Sequence, residues 1–261
     1  MKKVVFFLVA LATIIFLIGP LLAILPLAFT SNVFLTYPIG ELSLRWFDVV
    51  FNNDVWHRSM VNSLIMGVGS TFLATVLGTL AALGLRNKNV PCVSLLKTVF
   101  LLPMVVPAVV LGVGMQIVFA KLGLASSYTG VIIAHTVLAL PFVLISVLDS
   151  LAGIHSSLER AAASLGAKPF ATFRHVVLPL AAPGIGTGAV FAFATSLDEV
   201  VITLFLAGPN QTTMALKMFS SLRENVTPAV TAVAFILILI TLVLIGAAAL
   251  MKRRSNHEVS N

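Results

Sequence analysis

Between residues 156 and 179 the chain reads SSLERAAASLGAKPFATFRHVVLP, and the parsing of the rest depends on this stretch. It is a polar, basic interlude between two long apolar runs, Thr129–Val147 before it and Val177–Leu206 after it. Such a pattern is what a loop joining two membrane helices leaves in a sequence. Ser156 followed three residues later by Glu159 has the form of a capping box, in which two orphaned helix donors are satisfied reciprocally. The Ala-rich run after it predicts a short helix that stops near Gly166, where a left-handed residue costs least. Pro169 then suits the start of a second helix, with Phe170 and Phe173 on a partly apolar face. The expected product is a helix–turn–helix knob, small on one side and basic on the other. Physics alone leaves two roles open: a packing elbow between spans, or a knob on which another protein docks.

Outward from this loop, six apolar runs are long enough to cross a bilayer at 1.5 Å per residue: 4–29, 60–85, 95–120, 129–147, 177–206 and 229–251. The composition agrees. Of 261 residues, 59% are hydrophobic and 10% charged, with mean hydropathy +1.09. Soluble domains run near ~25% charged, so a soluble enzyme, a disordered chain and a nucleic-acid-binding module are all excluded. The first run follows Lys2 and Lys3 but is too long for a signal-peptide core and lacks a clean small-residue cleavage site, so it reads as a retained span. Lone Cys92 excludes an internal disulfide.

The net charge is +7, and the distribution of Lys and Arg between the loops, not the net charge, sets the orientation. With both termini in the cytoplasm, only Arg45, Arg58, Lys121, Lys217 and Arg223 of the sixteen Lys and Arg fall outside. Lys252, Arg253 and Arg254 then form a positive-inside stop, and Trp46, Trp56 and Tyr128 lie at the outer headgroup level. Small residues recur every four positions as Ser70, Ala74, Gly78 and Ala82, and again as Gly184, Gly188, Ala192 and Ser196. These stripes fit packing within the chain or a subunit interface equally well. Pro103, Pro107 and Pro141 should bend the third and fourth spans.

Asp198 and Glu199 fall in the outer half of the fifth span, where an acidic group needs compensation. They either face a water-filled path that attracts a cation, or mark the wetted end of the span, paired with Arg223 or Lys217. Neighbours on a helix point about 100° apart, so the two cannot line one narrow site equally. His135 is expected as a buried neutral imidazole bonded to a carbonyl. Met214, Met218 and Leu222 at helical spacing suggest a short helix on the outer face. The histidines are too scattered for a metal cage, and no G-x-x-x-x-G-K-[ST] phosphate cradle occurs.

Residues 156–179 resemble the EAA loop of ABC-transporter permeases, with pattern E-A-A, three residues, G, nine residues, I-x-L-P. Ala161 and Ala162 match its alanines, Gly166 its glycine, and Val176–Pro179 its close, with Val176 in place of Ile. Arg160 occupies the acidic position and Glu159 stands one residue earlier. LSLRWF at Leu42–Phe47, SLDEVVITLFLAGP at Ser196–Pro209 and the segment Leu216–Pro228 are similar to the spermidine/putrescine-type branch. The resemblance implies an all-α polytopic membrane protein like the type I ABC importer permeases: one permease domain over residues 1–261, six transmembrane helices, cytoplasmic termini and a cytoplasmic coupling helix. It implies a bacterial inner-membrane location and alternating access. The partners would be a second homologous permease, two ATP-binding subunits, an external solute-binding protein and the lipid bilayer, with no nucleic acid. ATP and Mg would be bound by the partner ATPases, and this chain would hold no cofactor and do no covalent chemistry. Glu159, Arg160, Ala161, Ala162, Gly166 and Pro179 would couple it to the ATPase, and Asp198 and Glu199 would lie on the solute path. A polyamine is the leading solute, with other small amines, amino-acid derivatives or opines as alternatives. Outside this class stand an ion-coupled secondary transporter, which leaves the EAA-like loop unexplained, and a non-transporting scaffold, which leaves the acidic pair unexplained.

Overall fold

The computed structural model describes residues 2–87, 90–224 and 226–259, with side chains as far as Ala249. Lys88 and the side chains of Lys252, Arg253 and Arg254, used above for orientation, lie outside what is described. The helices in chain order are α1 (Lys2–Ile24), α2 (Arg45–Asn52), α3 (Asp54–Arg86), α4 (Val93–Val105), α5 (Ala108–Lys121) and α6 (Tyr128–Ala152). They continue as α7 (Ser156–Ser164), α8 (Pro169–Thr172), α9 (Leu178–Asp198), α10 (Val201–Leu206), α11 (Met214–Glu224) and α12 (Ala229–Val259). Among the described residues the one extended pairing is an isolated bridge between Thr30 and Leu42. The protein is all-α.

Five helical runs are long and apolar enough to cross a membrane: Lys2–Phe29, Asp54–Arg86, Tyr128–Ala152, Pro169–Asp198 and Ala229–Ala249. The third expected span is different. Instead of one helix over 95–120, α4 and α5 meet at an angle of 101°. Pro107 explains the break, because its ring disfavours helical backbone at the residue before it. Val106 is accordingly extended, with ψ 133°. Pro103 and Pro141, by contrast, sit inside unbroken α4 and α6.

The fifth span also departs from expectation at both ends. Its helix begins at Pro169, passes through a π turn at Phe173–Val177 and runs on as α9. It then stops at Asp198, where Glu199 becomes extended with ψ 114°, and Val201–Leu206 forms a separate helix. The interval 177–206 is therefore a helix and a half rather than one span. A hydropathy window cannot see a backbone break flanked by apolar residues on both sides.

The chain divides into two compact units. One comprises residues 1–58 and 217–240. Phe29, Phe47 and Phe235 form its aromatic centre, with ring centroids 5.1 to 5.8 Å apart. Trp46 is buried and its indole N–H donates to the Asn32 carbonyl at 3.1 Å. No residue of α1 is buried within the protein, as suits a helix whose solvent is lipid.

The second unit holds residues 59–216 and 241–261, and α6 is its axis. Val143 of α6 is touched from two sides. A Cβ on Gly78 of α3 would lie 2.8 Å from the Val143 Cβ, and one on Gly188 of α9 would lie 2.9 Å from its Cα. A Cβ on Gly184 would run into Ser150 and Ser146. Both small-residue stripes are thus spent on packing α3 and α9 against α6 inside this chain, which decides between the two readings. Toward the other end, Met66, Phe119, Val131, Ala134, Ile202 and Leu206 bring α3, α5, α6 and α10 into one buried cluster.

Candidate functional site

The knob forms, but not through the capping box. His155 is the N-cap residue of α7 and no side chain caps that end. Glu159 turns away to Arg86, the last residue of α3, with Nη1 and Oε1 2.6 Å apart. A charge-assisted pair outcompetes a reach back to the N-cap backbone. Arg86 Nη2 also donates to the Ile154 carbonyl at 3.0 Å, and its charge suits the C-terminal end of α3.

The close of α7 is as the glycine foretold. Gly166 has φ +84°; its N–H donates to the Ala163 carbonyl and the Ala167 N–H to the Ala162 carbonyl, each at 3.0 Å. That is the Schellman arrangement, which satisfies two end carbonyls and turns the chain sharply. Lys168 leads into Pro169 at the first position of α8, and the run continues without interruption into α9. The second helix of the knob is therefore the root of a membrane helix.

The surface of this knob is apolar at its tip. Leu165 is 89% exposed and Phe170 72%, with Leu158 also exposed. Arg160, Ala161 and Gly166 are exposed as well, Ala162 and Glu159 half-buried, and Pro179 exposed in the first turn of α9. Phe170 was expected on an apolar helix face, whereas Leu165 carried no expectation. The signal was there: large apolar side chains beside the turn glycine and proline of a polar loop have no core to enter.

Asp198 and Glu199 lie at the far end of α9 from Pro179, about 29 Å away at 1.5 Å per residue. The two sets of candidate residues are thus separate sites on one helix. The acidic pair is itself divided. Glu199 accepts the Ile202 N–H at 2.7 Å and so secures the first turn of α10. Asp198 is exposed, and its side chain makes none of the hydrogen bonds or ion pairs found among the described residues. Lys217 lies over the Trp56 ring at 5.7 Å and Arg223 over Phe219 at 5.9 Å.

His135 holds the break behind this pair. It is buried, with Nδ1 2.7 Å from the Ser196 hydroxyl of α9 and Nε2 2.9 Å from the Thr203 hydroxyl of α10. Two hydroxyls stand where a carbonyl was expected. The Thr203 O–H donates to the Glu199 carbonyl at 3.1 Å, so its oxygen must accept from the imidazole. The proton is therefore assigned to Nε2, leaving Nδ1 to accept from Ser196. A second polar clasp joins α3, α6 and the segment after α10. The Asn62 side-chain amide donates to the Asn210 and Thr212 carbonyls, both at 2.9 Å, and its oxygen accepts from the Tyr128 hydroxyl at 2.7 Å.

An all-helical chain of five apolar runs and one broken pair, with a short two-helix knob rooted directly in a membrane helix, is a polytopic membrane protein. The chain belongs to the family of binding-protein-dependent transport system inner membrane components, whose model matches residues 74–257. It is 33% identical over 212 residues to the spermidine/putrescine transport system permease protein PotC of Escherichia coli (strain K12), covering 80% of this chain and 79% of that one. With the putrescine transport system permease protein PotI of the same strain it shares 30% identity over 233 residues, 85% and 82% of the two chains. Its fold is that of a chain in a bacterial ABC transporter involved in the import of the acidic polysaccharide alginate. The TM-score there is 0.70 at 15% identity, over 96% of this chain and 95% of that one. The protein is a transport subunit of the membrane.

Proposed function

We propose that this chain forms half of the translocation path of an ATP-driven importer for a small organic cation of the polyamine class. A second homologous permease would supply the other half. Two ATP-binding subunits would bind ATP and Mg and hydrolyse the nucleotide, while an external binding protein delivers the solute. The observation that carries the reading is the likeness to PotC and PotI, about 30% identity over some four fifths of each chain. The knob supports the division of labour. Leu165 and Phe170 offer an exposed apolar tip, and Ala161 and Ala162 allow a partner's backbone to come close. We place the knob and both termini in the cytoplasm of the inner membrane, following the distribution of Lys and Arg.

In this mechanism the ATPase pair closes around the two permeases' knobs, and the continuous helical run from α8 into α9 carries that movement to the break at Glu199. Asp198 presents its carboxylate to a cation there, and Glu199 keeps the break in shape. Glu159 holds the knob in place, and Arg160, Ala161, Ala162 and Gly166 shape the face that meets the ATPase. The test is recovery of the tagged chain from its native membranes in mild detergent, with labelled putrescine uptake measured in the same strain. Co-recovery of an ATPase and a second permease, with uptake abolished by deletion of the gene, is the expected result. A chain recovered alone, or uptake that survives deletion, would overturn the reading.

A further inference from the structure

Arg86 is the end of one membrane helix, yet its guanidinium is committed to two other elements. One nitrogen lies 2.6 Å from Glu159 of α7 and another donates to the carbonyl of Ile154, just past α6, at 3.0 Å. The Arg86 side chain is 26% exposed and that of Glu159 37%, so the pair is sheltered on one side. In the backbone, α7 is bounded by Gly153, which follows α6, and by the left-handed Gly166, which closes the helix. Through α8 and the π turn the knob is joined end to end with α9, but its covalent link to α3 runs only by way of the whole of α4 to α6. Meanwhile α3 and α9 grip Val143 of α6 from two sides through Gly78 and Gly188. A push on the knob that moved α9 without α3 would have to slide one of these close contacts.

We propose that Arg86 is a positioning residue that latches the knob to α3, so that a displacement of α7 is delivered to α3 and α9 together. The inference rests on the reading that an ATPase docks on the knob. It also assigns Glu159 inward: with its carboxylate on Arg86, it is a strut for the knob rather than the group that meets the ATPase.

The test uses the assembled transporter in proteoliposomes with its ATPases, second permease and binding protein. Arg86→Glu, Arg86→Gln and the exchange variant Arg86→Glu/Glu159→Arg are compared with the unaltered chain. Two quantities are read, the amount of ATPase retained on the permease and the solute moved per ATP hydrolysed. Arg86→Glu should keep its ATPase and move about tenfold less solute per ATP, and Arg86→Gln should fall between it and the unaltered chain. The exchange, which restores opposite charges, should recover at least about half of the loss. Unchanged stoichiometry in Arg86→Glu would overturn the latch, as would an exchange variant no better than the single one. Loss of the ATPase from Arg86→Gln would also overturn it, by making Arg86 part of the docking face. An unaltered chain that retains no ATPase would instead defeat the docking reading itself.

Discussion

At the scale of single residues, two adjacent carboxylates have been given different work by one turn of backbone. Glu199 spends its oxygen on the Ile202 N–H, while Asp198 is left exposed at the last position of α9. Asp198→Asn should therefore lower the uptake of a cationic solute by about tenfold, the factor equivalent to 1.4 kcal/mol, while ATPase recovery stays unchanged. Uptake equal to the unaltered chain would remove Asp198 from the path. Glu199→Gln keeps an acceptor for Ile202 and should be the milder change. His135 is a different kind of residue. His135→Ala would leave the hydroxyls of Ser196 and Thr203 buried without their ring partner, a cost of about 1–3 kcal/mol. Thermal unfolding in detergent should register it as a lower midpoint, and His135→Gln should recover part of it.

At the scale of elements, glycines separate contacts that must stay close from positions with room to spare. A Cβ at Gly188 would stand 2.9 Å from the Cα of Val143, a backbone atom that no rotamer change can move. Gly188→Ala should force α9 away from α6 and cost about 1–3 kcal/mol. Gly246 in α12 has nothing within 4 Å of a built Cβ, so Gly246→Ala should be neutral or slightly stabilising in the same assay. Gly166 has equal room but a left-handed backbone, with φ +84°. Gly166→Val should cost about 1–2 kcal/mol in the turn and release the ATPase in pull-downs, although no atom stands in its way. If Gly166→Val retained the ATPase fully, the turn would not be needed for docking.

At the scale of the whole molecule, orientation can be read with one thiol. Cys92 is exposed just ahead of α4 and is the chain's single cysteine, so labelling has no background. A membrane-impermeant maleimide should label it only after spheroplasts are permeabilised. Thr36→Cys in a Cys92→Ser background should label without permeabilisation, because Thr36 is exposed in the segment between α1 and α2. The reverse pattern would invert the topology and place the knob outside, where no ATPase could reach it.

What the sequence determined by itself was everything governed by local chemistry or by the solvent. Long apolar runs specify membrane helices because an unsatisfied backbone cannot enter lipid. Gly166 and Pro169 specify a turn and a helix start because of their own backbone limits, and both stand where they were expected. The Ala161–Gly166 spacing disclosed the family for the same reason, since the turn it encodes is local. The tertiary structure alone decided where Glu159 points, because its competitor for the capping box, Arg86, lies far away in sequence and arrives only when α3 packs beside α7. It decided likewise that the small-residue stripes serve α6, that His135 meets two hydroxyls, and that Glu199 leaves the helix while Asp198 stays on it. Each of those outcomes is a choice between partners of similar local merit. Such choices are settled by which groups the packed helices bring within hydrogen-bonding reach.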